Sequence, residues 1–146
     1  MIVQTDADLL GMRAASDAVA LTLKSMIGYA KPGMNTFELD EYGASLLKSY
    51  GATSAPIKDY KFPGYTCISL NKEAAHGIPS KSKILKEGDL INIDVSAELN
   101  GYYGDNENYM VNKMTFKEPA GWHVIIGDNG AGKSTIVRSI ALGMVG

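Results

Sequence analysis

Between Asp6 and Met26 the apolar positions Leu9, Met12, Ala15, Val19 and Leu23 recur every three or four residues, the spacing that lines them along one stripe of an α-helix. Asp6 is placed to cap the start of this helix, and Gly28 predicts its stop. After the turn Lys31-Pro32-Gly33 a second stripe follows, formed by Leu39, Tyr42, Leu46, Leu47 and Tyr50. Its start holds the makings of a capping box: Asn35 can accept from the Glu38 amide while the Glu38 carboxylate reaches back to the Asn35 N–H. Gly51 marks its end.

Beyond Gly51 the period drops to two. The segment from Tyr65 to Leu70 is rich in β-formers. From Leu90 to Leu99, Ile91, Ile93 and Val95 point to one face and Asn92, Asp94 and Ser96 to the other. Asn100-Gly101 is a strong two-residue hairpin signal. A loop of that length pairs Leu99 with Tyr102, Ser96 with Asp105 and Asp94 with Glu107. The fold class expected is α/β, with two helices packed on one face of an antiparallel sheet.

The pattern fades over residues 113–120, where Lys113, Lys117, Glu118 and Pro119 fall without periodicity. It resumes as a short apolar strand from Trp122 to Ile126 and a helix from Ser134 to Met144 bearing Ile136, Val137, Ile140 and Met144. The predicted organisation is therefore a first unit over 1–112, a junction over 113–120 and a second unit over 121–146. With 146 residues, 45% of them hydrophobic, the chain is ample for one packed domain and tight for two, so a two-unit reading implies fragments.

Charge and cysteine content narrow the setting. Fourteen basic and 16 acidic residues give a net charge of -2 without a basic block or an acidic tail, and nothing global points to nucleic acid or to a membrane surface. Cys67 is the single cysteine, so an intramolecular disulfide is excluded, and the start Met1-Ile2-Val3-Gln4-Thr5-Asp6 lacks the basic and apolar regions of a secretion signal. No apolar stretch approaches the ~20 residues needed to cross a bilayer. A soluble protein of the reducing cytoplasm is expected.

In the predicted hairpin register Asp94 and Asp105 are diagonal neighbours on one face, roughly 7–8 Å apart at the backbone. Two carboxylates placed so closely repel, and a divalent cation between them relieves the repulsion. On spacing alone, two acids on a solvated hairpin face are the favoured reading. Taken alone, His76 reads as an ordinary loop histidine and Cys67 as a core residue.

Three stretches bear on that choice: Phe62-Pro63-Gly64-Tyr65-Thr66-Cys67-Ile68-Ser69, Ala75-His76-Gly77-Ile78-Pro79 and Gly88-Asp89-Leu90-Ile91-Asn92-Ile93-Asp94-Val95-Ser96. With Lys31-Pro32-Gly33-Met34 and Glu38-Leu39-Asp40-Glu41, in this order and spacing, the chain from about Asp6 to Val111 closely resembles type I methionine aminopeptidases. The resemblance implies the N-terminal part of a pita-bread (creatinase/aminopeptidase-like) fold. It also implies a dinuclear site for Co, Mn, Fe or Zn that hydrolyses the initiator methionine from an N-terminal methionyl peptide or nascent chain. Asp94 and Asp105 match the first two metal ligands, Asp105 the bridging one. His76 matches the histidine that contacts substrate and stabilises the tetrahedral intermediate. Phe62 and Cys67 match positions lining the methionine pocket, although an aromatic hydroxyl is common where this chain has Phe62. The family completes its site with a histidine and two glutamates from downstream. After Asp105 the candidates are Glu107, Glu118 and His123, none in a matching segment, so the expectation is a domain cut short before its metal site is complete and inactive by itself.

At the other end Gly127-Asp128-Asn129-Gly130-Ala131-Gly132-Lys133-Ser134 fits G-x-x-x-x-G-K-[ST] in full. At average residue usage this pattern arises by chance in so short a chain in under about one case in a hundred. Gly127, Asn129, Gly130 and Gly132 let backbone N–H groups curl around phosphate oxygens, Lys133 neutralises the outer phosphates and Ser134, followed by Thr135, can hold Mg²⁺ at the helix start. Preceded by Val124-Ile125-Ile126, the segment resembles the first strand and loop of ABC- and SMC-type ATPases. That resemblance implies a C-terminal strand–P-loop–helix fragment with Mg-ATP or another nucleotide as an alternative ligand. A fusion of two gene fragments without activity of its own is the third reading.

Overall fold

Helix α1 (Asp6–Tyr29) begins on a reciprocal cap: the Asp8 amide donates to Thr5 Oγ1 at 3.1 Å, and the Thr5 amide donates to Asp8 Oδ2 at 3.0 Å. The cap is thus Thr5 and not Asp6, because a capping box requires an acceptor three residues on and Asp8 stands there. The helix also runs through Gly28. Its stop comes from Pro32, which forces Lys31 out of the helical region and leaves Ala30 extended as the C-cap. The computed structural model describes residues 4–111, and of residues 108–111 only the backbone. The predicted junction over 113–120, the strand Trp122–Ile126 and the helix Ser134–Met144 lie outside the described residues.

Helix α2 (Thr36–Ser49) carries the expected box. Glu38 N donates to Asn35 Oδ1 at 2.9 Å and Asn35 N to Glu38 Oε2 at 3.3 Å. Tyr50 caps its end, and Gly51 turns the chain at φ +72, which a residue without Cβ adopts freely. Two short elements not foreseen from the pattern follow, the strand β1 (Thr53–Ser54) and the helix α3 (Ala55–Tyr60). They are too brief to show a period; α3 starts on the Ser54 hydroxyl, with Pro56 in its first turn.

Strand β2 (Cys67–Leu70) and the hairpin β3 (Leu90–Leu99) and β4 (Tyr102–Val111) complete an antiparallel sheet. β3 is central. β2 pairs with its first half and β1 with its end, while β4 pairs along its full length in the expected register, with Leu99 opposite Tyr102, Ser96 opposite Asp105 and Asp94 opposite Glu107. Asn100 at φ 52 and Gly101 at φ 87 give both loop residues the positive φ of a type I′ turn.

Ile91, Ile93, Val95 and Ala97 on one face of β3 are buried against Val19, Leu23 and Met26 of α1 and Leu39 and Leu47 of α2, with Ile68 and Leu85 closing the cluster. Two glycines permit the close approach. A Cβ on Gly104 would lie 2.7 Å from the Ala15 carbonyl oxygen of α1, and one on Gly43 would lie 2.6 Å from Met26 Sδ, where α2 meets α1. The predicted α1 stripe holds from Ala15 onward, but Leu9 is 58% and Met12 37% exposed, so the buried stripe is Ala15, Ala18, Val19, Thr22, Leu23 and Met26.

Candidate functional site

The polar face of β3 is where the candidate chemistry gathers. Asp94 lies between Cys67 of β2 and Glu107 of β4 in one row across the sheet, and Asp105 sits one row along, opposite Ser96. The Ser96 hydroxyl donates to Asp105 Oδ1 at 2.7 Å and holds that carboxylate in place. Asp94 Oδ1 is closed off from solvent and has no hydrogen-bond partner. Burial, then the charges of Asp105 and Glu107 and the Asp105 carboxyl within bonding reach, push the Asp94 carboxyl up to about 6, a rise that nearby His76 opposes. A buried acceptor without a donor, flanked by further carboxylates, is an arrangement a divalent cation satisfies. Asp94 and Asp105 therefore fit as ligands. Among the described residues no group of three or more His, Cys, Asp or Glu side chains assembles around a metal position.

Two loops border this face. Cys67 is buried, and its thiol is pushed up to about 11 by burial and then by the charges of Asp94, Asp40 and Asp105, so it stays protonated. The segment before it, with half-buried Phe62, is held by Asp40 of α2. That carboxylate accepts from Tyr65 N at 3.0 Å, Thr66 N at 2.7 Å and Thr66 Oγ1 at 2.7 Å. Burial raises the Asp40 carboxyl, and the same three bonds pull it down. Gly64 lets the two loops touch: a Cβ there would lie 2.8 Å from Pro79 Cδ and 3.3 Å from Phe62 Cε1. His76 is exposed and holds φ +55.

The structure thus gathers Cys67, Asp94 and Asp105 on one face, with His76 close enough for its charge to act on Asp94 and Phe62 on the adjoining loop. Gly127, Asn129, Gly130, Gly132, Lys133, Ser134 and Thr135 lie outside the described residues. Sequence reasoning passed over Asp40 as a site residue, although the signal was present: it shares the buried face of α2 with Thr36, Gly43 and Leu47 at helical spacing. An acid in that stripe needs donors facing it.

Against known families, residues 11–120 match Metallopeptidase family M24. The chain belongs to this family. Methionine aminopeptidase 2 of Bacillus subtilis is 55% identical to this M24 chain over 105 residues, which are 72% of the chain and 42% of that protein. A methionine aminopeptidase of Staphylococcus epidermidis is 50% identical over 105 residues, 72% of the chain and 41% of that protein. Among solved structures, the methionine aminopeptidase from Rickettsia prowazekii superposes with a TM-score of 0.72 at 36% identity, over 80% of this chain and 46% of that one. Prolidase from Pyrococcus furiosus, at 22% identity and a TM-score of 0.66, shares the pita-bread fold alone. The M24 chain spans less than half the length of these relatives. Membership of a metallopeptidase family implies dependence on a divalent metal, which the Asp94–Asp105 pair fits. No helix among the described residues is long and apolar enough to cross a membrane.

Proposed function

We propose that residues 4–111 are the half of a methionine aminopeptidase that carries the first two metal carboxylates, and that it acts on the N-terminal methionine of a peptide or nascent chain once further ligands are supplied. The observation that carries this reading is the partnerless, buried Asp94 Oδ1 beside Asp105. Asp94 and Asp105 would hold divalent ions, Co, Mn, Fe or Zn, two in a complete site. When bound, such ions supply Lewis acidity toward the scissile carbonyl and activate water. Ser96 orients Asp105 by its hydroxyl. His76, exposed and near enough for its charge to act on Asp94, offers an imidazole that can donate to the substrate and to the charge that develops on its carbonyl oxygen. Cys67 and Phe62 offer the apolar surface a methionine side chain requires, and Asp40 holds the loop between them.

Two carboxylates make a weak centre, because tight catalytic sites need more ligands and an ordered surrounding shell. The chain by itself is therefore expected not to turn over. Release of methionine from a Met-Ala-Ser peptide with added Mn²⁺ or Co²⁺ tests this. We expect none from the chain alone, and release on adding the C-terminal portion of a methionine aminopeptidase, abolished by Asp105→Ala. Release from the chain alone at a full enzyme's rate would contradict the half-site reading, and release that survives Asp105→Ala would contradict the metal assignment.

The pattern Gly127 to Ser134 supports a second reading, a nucleotide-binding module with Mg-ATP as ligand. Binding of ATP that disappears on Lys133→Ala would favour it, whereas a chain that binds neither Mn²⁺ nor ATP would be an inert fusion.

A further inference from the structure

His76 bears a Cβ yet holds φ +55, a left-handed conformation that costs energy and persists only where its surroundings impose it. The next residue shows what imposes it. Gly77 lies along the outer edge of β2, where Ile68 N donates to Gly77 O at 2.8 Å. In an antiparallel ladder a narrow pair exchanges two such bonds. Here the Gly77 amide donates instead to Ser69 Oγ at 3.0 Å, inside the protein. The backbone comes so close that a Cβ on Gly77 would lie 2.3 Å from the Ile68 carbonyl oxygen.

Ser69 is buried and stands two residues after Cys67 in β2, so the two side chains leave the same face of the strand. Cys67 lies opposite Asp94 and Ser69 opposite Asn92, which places the Ser69 hydroxyl on the face that bears the candidate ligands. Its bond therefore draws the Gly77 amide toward that face, and His76 is the residue just before it, near enough for its charge to act on the Asp94 carboxyl.

We propose that Ser69 is a positioning residue for His76: its hydroxyl replaces a ladder bond, locks the His76-Gly77 peptide and presents the imidazole to the Asp94–Asp105 face. What His76 does there rests on the aminopeptidase reading above; the brace itself does not.

The test is NMR on the full chain without metal, followed by titration with Mn²⁺ alone. In the unmutated chain His76 should show the strong intraresidue amide–Hα Overhauser contact of a positive φ, and the Gly77 amide should be protected from exchange. Ser69→Ala should lose the contact and speed Gly77 exchange by roughly tenfold or more, since a buried donor is orphaned. Ser69→Thr, which keeps the hydroxyl, should restore both. Thr36→Val removes a comparable brace, the hydroxyl that bonds Ser80, and should leave His76 unchanged. Added Mn²⁺ should broaden the His76 ring signals, and less so in Ser69→Ala. An unchanged His76 contact in Ser69→Ala would overturn the proposal. So would a Gly77 amide in the unmutated chain that exchanges as freely as an exposed loop amide, a result available even if Ser69→Ala does not fold. Absence of Mn²⁺ broadening at every residue near Asp94, with the contact and its Ser69 dependence intact, would support the brace and remove only the metal reading.

Discussion

Asp40 and Asp94 are aspartates of the same small domain, each withdrawn from water, and they are treated in opposite ways. Asp40, 2% exposed, is surrounded by three donors from Tyr65 and Thr66. Asp94 keeps an oxygen without any partner and faces further carboxylates. The first arrangement closes a structure and the second leaves one open. Burial alone does not mark a functional acid; the supply of donors does.

The comparison breaks most visibly at Asp40. Asp40→Ala would orphan two backbone amides and a hydroxyl and should cost about 3–5 kcal/mol, read from the urea midpoint at constant slope. Asp94→Asn should be neutral or stabilising in metal-free protein, because it removes repulsion with Asp105 and Glu107. Were both substitutions to cost the same, the distinction between clamp and open site would fail.

Cys67 sharpens the contrast from between the two acids, since both raise its thiol. A thiol shifted from 9.0 to about 11 loses roughly 100-fold in thiolate at neutral pH. Alkylation by iodoacetamide near pH 8 should be slower than that of a free cysteine by about that factor in the folded chain, and normal in urea. Ordinary reactivity in the folded state would contradict the burial of the thiol between β2 and its neighbours.

A smaller effect reads Asp94 by pH. With its folded value near 6 and an ordinary value of 3.8, Asp94 binds more protons folded than unfolded between those limits. Its contribution to stability is present below about pH 4 and lost as pH rises through 6, so metal-free protein should weaken over that range and Asp94→Asn should flatten the trend. Mn²⁺ binding should run the other way, tightening from pH 5 to 7 because the ion competes with the proton. Urea midpoints at four pH values, with and without Mn²⁺, measure both slopes.

Much of this was legible in the chain. The Asn35–Glu38 box, the two-residue turn at Asn100-Gly101 and the diagonal placement of Asp94 and Asp105 all followed from local rules that the tertiary structure had no cause to override. The misses have particular reasons. Thr5 outcompeted Asp6 as a cap because Asp8 completes its box, and Pro32 ended α1 where Gly28 did not. Leu9 and Met12 continue the helical stripe in spacing but stay exposed, since periodicity tells which side of a helix is apolar and not how far its neighbours reach. Asp40 was missed although its place in the buried stripe of α2 was readable. Ser69 was invisible for a different reason: its importance lies in the Gly77 amide brought to it from the neighbouring loop, which no spacing rule reports.

The glycine at 104 does more than let α1 approach. A slip of one residue in the β3–β4 pairing would send every side chain of β4 to the opposite face and turn Asp105 inward. The position against the Ala15 carbonyl would then receive Tyr103 or Asp105 in place of Gly104, where even a methyl group does not fit. The helix thus proofreads the hairpin: a strand laid down out of step is rejected by collision, and the carboxylate pair is aligned by the same contact that closes the core.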